Sequence, residues 1–189
     1  MRQPRLLRIT TVPISLKLLL RGQPQFFASQ GFIVLTVSAD GKEVAELKSE
    51  NISHEIVPMT RQITPWQDLK CVWRLVQIMR DFKPDIVHTH TPKAGLLGML
   101  AAWLCRIPVR MHTVAGLPVM ESRGAKKLLL QATERLTYTW ANQVYPNSLG
   151  LLTYMQQVLG ANDERKFRII GRGSTNGIDT ESFKQTPAL

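Results

Sequence analysis

Short apolar, β-branched runs alternate with longer segments of helical period along almost the whole chain. Strands joined by helices lie parallel in one sheet, because each crossover helix carries the chain back to start the next strand in the same direction. Strands are expected at residues 6–12, 32–37, 54–59, 85–89, 109–114, 143–146 and 167–170. Helices are expected from Pro13 to about Gln30, where Gly31 stops the first, and at 43–49, 65–82, 93–104, 122–142 and 149–159. The expected fold is α/β, a doubly wound, Rossmann-like parallel sheet of six or seven strands. The strongest helix signal is residues 65–82, with Pro65 at the first helical position and Thr64 as N-cap. Trp66, Leu69, Val72, Trp73, Val76, Met79 and Phe82 recur there at three and four residues and predict one buried stripe.

Composition narrows the classes. With 189 residues, 44% of them hydrophobic, the chain is long enough for one large domain with a full core and too apolar for wholesale disorder. Two cysteines, Cys71 and Cys105, make neither a disulfide scaffold nor a structural zinc site and suit a reducing, cytoplasmic setting. The net charge is +10, and no acid precedes Asp40, whereas Arg2, Arg5, Arg8, Lys17 and Arg21 are basic. That bias fits a phosphate-rich partner: a nucleotide, a nucleic acid or an anionic membrane surface. No helix-turn-helix, zinc finger or basic helix interleaved with aromatics is present, so nucleic acid is set aside. The first apolar run is interrupted by Arg8, Pro13 and Lys17, and the longest, residues 94–105, falls short of the roughly 20 that a spanning helix needs.

Ligands on doubly wound sheets sit at the C-terminal strand ends, which directs attention to residues 13–17, 89–95, 113–118 and 147–150. His88 and His90 are two apart on an expected strand and so share a face, and His112 lies near the next strand. Three readings remain open for them: a zinc site, which lacks the further ligands such sites use; packing at the strand end; or substrate contact in the cleft. Gly171, Arg172, Gly173 and Gly177 suggest a phosphate loop, but no helix follows to complete a dinucleotide fingerprint. A Gly-x-Ser-x-Gly elbow is absent.

The segments PISLKLLLRG and GFIVLTVSADG resemble the opening of glycosyltransferase family 4 enzymes of the GT-B type. KPDIVHTHTPKAG, RMHTVAGLP and VYPNSLG are similar to that family's fourth, fifth and sixth strand ends, and GRGSTNGIDTESF to its domain hinge. The closest likeness is to enzymes that assemble capsular or lipid-linked polysaccharides. The resemblance implies one half of a GT-B fold: residues 1–170 as the acceptor-binding domain and 171–189 as a linker toward a second domain. It further implies retaining transfer from a nucleotide-diphosphate donor, a UDP-sugar, to a polyprenyl-diphosphate-linked or oligosaccharide acceptor at the inner membrane face. No cofactor is required on this reading, and a binding module without catalysis is the alternative. Carried over by position, Ser15 and Lys17 would face the donor diphosphate across the cleft. His88, His90, Thr91, Lys93 and Gly95 would line the acceptor side, Thr113 and Gly116 the fifth strand end, and Asn147 and Ser148 the sixth. Asn176, Gly177 and Asp179 would form the hinge, with Phe183 packing back. His88, His90 and His112 are the candidates for catalysis, because Ala115 stands where many relatives have a histidine.

Overall fold

The computed structural model describes residues 2–49, 52–174 and 177. The first apolar run forms β1 (Arg5–Ile9), and Pro13 opens α1 (Pro13–Leu19). The single helix expected to about Gln30 is instead two. Gly22, at φ +74°, turns the chain and begins α2 (Gln23–Ser29). After them come β2 (Ile33–Ser38), α3 (Glu43–Ser49), β3 (Ser53–Ile56) and α4 (Pro65–Phe82). The second half runs β4 (Ile86–Thr89), α5 (Pro92–Leu104), β5 (Val109–Val114), α6 (Gly124–Trp140), β6 (Gln143–Pro146) and α7 (Leu149–Leu159), with one 3₁₀ turn (Pro118–Glu121) before α6.

The six strands lie parallel in the order β3-β2-β1-β4-β5-β6. The chain therefore winds outward one way from β1 and the other way from β4, and the switch between them is where such sheets bind ligands. The seventh expected strand, at 167–170, reduces to one bridge between Phe167 and Val144. The main core lies under α4, α5, α6 and α7 and includes Leu7, Ile9, Val37, Val87, Met99, Val144 and Met155. A much smaller cluster of Leu16, Leu20, Leu47 and Ile52 packs α1 and α3 against the other side.

The expected stripe of α4 is corrected. Its buried face is Cys71, Val72, Leu75, Ile78 and Met79, whereas Trp66, Leu69 and Trp73 are exposed. At 100° per residue, Trp66, Leu69 and Trp73 fall on the side of the helix away from Leu75. The spacing of three and four had merged two faces into one. Its N-terminus is closed by Asp68, whose carboxylate accepts from both the Thr64 hydroxyl (3.0 Å) and the Thr64 backbone N–H (3.3 Å).

α5 lies close on the sheet because two of its residues lack side chains. A Cβ on Gly98 would come within 2.7 Å of Thr89 Cγ2 and 3.1 Å of Ile9 Cδ1. Gly98→Val is therefore expected to cost about 2 kcal/mol through overpacking, read as a lower midpoint of urea unfolding.

Candidate functional site

Parallel register places Arg8 beside His88, His88 beside Met111, and Thr113 beside Tyr145. Side chains alternate along a strand, so these groups project from one face of the sheet, while Thr89 and His112, which also pair, project from the other. The three candidate histidines accordingly do not converge. His88 and His90 stack with ring centroids 4.0 Å apart, and His88 Nε2 meets Thr113 Oγ1 at 2.8 Å. His112 is buried against α5, its Nδ1 2.7 Å from Thr89 Oγ1, and a Cβ on Gly95 would strike its ring at 2.5 Å. Gly95 is thus the space that His112 occupies. Among the described residues no three His, Cys, Asp or Glu side chains gather as a metal would require.

Burial sets the protonation of this centre. It holds His88 and His90 well below the ordinary histidine value, helped by the Arg8 charge, and pushes His112 down to about 4. All three are neutral at pH 7.

The remaining candidates have structural partners. Thr91 Oγ1 accepts from Thr11 N at 2.9 Å and lies 2.7 Å from Thr11 Oγ1, which itself accepts from Ala94 N in the first turn of α5. Lys93, placed by sequence to meet a phosphate, forms a 2.6 Å ion pair with Asp68, both side chains largely buried. Ser15 and Lys17 lie on α1, where Ser15 is buried and Lys17 pairs with Glu46. Asn147 Nδ2 donates to the Ala115 carbonyl at 3.0 Å, tying the fifth and sixth strand ends together. Ser148 caps α7 by accepting from Leu151 N. Gly116 has open space around it. Gly173, at φ +93°, lets its backbone approach the Asn147 carbonyl, where a Cβ would sit 2.5 Å away. Of the hinge residues, Gly177 is exposed; Asn176 and Asp179, with Phe183, lie outside the described residues.

Two groups escaped the sequence reading. Glu134 on α6 is buried, and its Oε2 has no hydrogen-bond partner. With His112, Thr113, Ala115 and Gly116 it lines a cavity of about 90 Å³, and burial pushes its carboxyl up to about 7. Its signal was a carboxylate on the helix face shared with Thr137, Tyr138 and Ala141. Arg8 is 1% exposed; its signal was a lone charge inside an apolar strand.

In open α/β sheets of this kind, ligands bind at the switch point where these polar groups gather. Over 99% of its length the chain follows 47% of the crystal structure of a glycosyltransferase from Rickettsia africae ESF-5, with TM-score 0.72 and 19% identity, which establishes the shared fold. The sequence matches the family described as "Glycosyl transferase 4-like domain" over residues 27–173, and the chain belongs to that family. It is 34% identical over 186 residues to the capsular polysaccharide biosynthesis glycosyltransferase CapM of Staphylococcus aureus, covering 97% of this chain and 47% of the relative. It is 28% identical over 117 residues to the UDP-Gal:alpha-D-GlcNAc-diphosphoundecaprenol alpha-1,3-galactosyltransferase of Escherichia coli, covering 61% of this chain and 28% of that one. The chain thus spans half or less of the length of these relatives.

The buried titratable groups oppose one another in pH. Folded His112 binds fewer protons than the unfolded chain between pH 6.5 and 4, so it removes stability as pH falls through that range. Glu134 keeps its proton when folded, so the stability it contributes is lost as pH rises from 4.5 through 7. His112→Gln should flatten the acid limb and Glu134→Gln the neutral limb, each by up to about 1.4 kcal/mol per pH unit, in denaturant titrations across pH.

Proposed function

We propose that this chain is the acceptor-binding half of a retaining glycosyltransferase in cell-surface polysaccharide synthesis. A second domain following the linker at 171–189 would complete the site. The donor is a nucleotide-diphosphate sugar, a UDP-sugar as in the E. coli relative, and the acceptor is a glycan carried on a polyprenyl diphosphate. The observation that carries this reading is the family match across residues 27–173, which spans β2 to β6 and α7.

The N-terminus of α5 and the loops after β1, β5 and β6 would receive the acceptor from the side of this domain. The departing diphosphate can take up the acceptor hydroxyl proton in a retaining transfer, so neutral histidines here serve as hydrogen-bonding groups rather than acids. In this role His88 and Thr113 orient the acceptor, and Ala115 leaves room beside it.

A peripheral position on the inner leaflet of the membrane is supported by α4 rather than by the early basic residues. Arg8 is buried, Arg2 pairs with Asp85, and Arg5 donates to the Phe82 carbonyl. Trp66, Leu69 and Trp73 instead form an exposed apolar strip near the start of α4, with Lys70 exposed beside it. Such a face lies well at a membrane interface. No helix among the described residues is long and apolar enough to cross a membrane.

The full-length protein is expected to transfer labelled sugar from one of a panel of UDP- and GDP-sugars into membrane lipid extract, and residues 1–189 alone to transfer none. Transfer by residues 1–189 would remove the split-site reading, and no transfer with any donor would remove the enzyme. Replacing Trp66 and Trp73 by alanine should lower partition onto vesicles containing anionic lipid at least tenfold in a flotation assay; unchanged partition would detach α4 from the membrane.

A further inference from the structure

Arg8 is an unusual arginine for a protein interior. Its Nη2 donates to His90 Nε2 at 3.0 Å, its guanidinium lies 5.4 Å from the centre of the Phe27 ring, and its Nε and Nη1 have no partner. Because Arg8 can only donate, His90 Nε2 accepts and the ring proton sits on Nδ1, a third buried nitrogen without a partner. A histidine is neutral or cationic, so neither His88 nor His90 offsets the guanidinium charge. Burial lowers Arg8 only to about 10, so it stays a cation at neutral pH. The partly buried arginines of this sheet are satisfied differently: Arg5 donates from Nη1 to the Phe82 carbonyl at 2.7 Å. Arg110 donates from Nε to the Trp140 carbonyl and from Nη1 to the Ile107 carbonyl, both at 2.6 Å. The fold can thus provide carbonyl acceptors for an arginine, and at Arg8 it provides none.

Arg8 lines a cavity of about 230 Å³ with Phe27, His88, Thr113, Tyr145 and Asn147, and among the described residues no carboxylate lines it. It lies beside the paired strands β1 and β4; among the described residues the helices on that side, α1, α2 and α3, make their main strand contacts with β2 and β3. A buried cation with unmade hydrogen bonds is costly to keep and is neutralised most directly by an anion.

We propose that this cavity is an oxyanion site, in which a carboxylate or phosphate group of a small ligand accepts hydrogen bonds from Nε and Nη1 of Arg8. Guanidinium is the side chain best matched to either group. Phe27, His88 and Tyr145 supply ring faces on which the rest of such a ligand can rest. Assigning the group to the acceptor glycan, as an acidic or phosphorylated sugar, rests on the glycosyltransferase reading; the anion site itself does not.

The test is thermal unfolding of the full-length protein with sodium glucuronate, sodium phosphate or sodium chloride at one ionic strength, alongside the Arg8→Met variant. Glucuronate or phosphate should raise Tm saturably by about 5 °C or more at a hundred times Kd, with chloride inert. Arg8→Met should abolish that rise while its own unliganded Tm is no lower than that of the unsubstituted protein. The wild-type Arg8 Nε–H resonance should shift saturably with the same anion, a readout that needs no variant. A response to glucuronate alone assigns a carboxylate-bearing ligand, and one to phosphate alone a phosphorylated one. No saturable response to either anion, or a response that Arg8→Met retains, overturns the site. Anion binding in a protein that transfers no sugar would keep the site and remove the acceptor from it.

Discussion

Everything distinctive here depends on the parallel register between β1 and β4. Pairing of Leu6 with Ile86, and onward to Ile9 with Thr89, fixes which residues face each other across the switch point. A slip of β1 by one residue against β4 would turn Arg8 into the main core and bring Leu7 and Ile9 out, so the buried apolar set holds the register. The same pairing that fills the core with Leu7, Ile9 and Val87 therefore sets Arg8 and His88 side by side on the opposite face.

That face is covered unevenly. On one side of the sheet the helices α4 to α7 close a continuous core around Met99, Val144 and Met155. On the other, among the described residues, the short α1, α2 and α3 provide the helical cover, with their main strand contacts to β2 and β3. The polar residues of β4 to β6 on that side have neither full solvation nor full packing, a condition in which hydrogen bonds strengthen and unpaired groups become costly. Protonation on that side follows from this: His88 and His90 are neutral, and Arg8 is charged and short of acceptors.

Much of the fold was legible before any coordinates. α3, α4, β5, β6 and α7 fall where periodicity and punctuation put them, since Pro65, Pro84 and the Gly160 C-cap mark ends by backbone geometry alone. The break at Gly22 was missed because an isolated glycine in a helical pattern is tolerated as often as it turns the chain. The α4 stripe was misread because two Trp residues and a Leu outweigh Cys71, Leu75 and Ile78 in bulk, and bulk does not say which face meets the sheet. At the candidate site, the strand ends and the His88–His90 pairing were readable from chain order. The capping work of Ser148 and Thr11, the ion pair of Lys93 with Asp68 and the space Gly95 leaves for His112 were not.

The sequence by itself determined the alternation of strand and helix, the parallel sheet and the family, because these rest on local periodicity and ordered short segments. Tertiary structure alone decided the partners. That Lys93 pairs with Asp68, that His112 faces away from His88 and His90, and that Arg8 is left with empty donors depend on how elements distant in the chain pack together. No local pattern encodes that distance; only the packing of the whole sheet does.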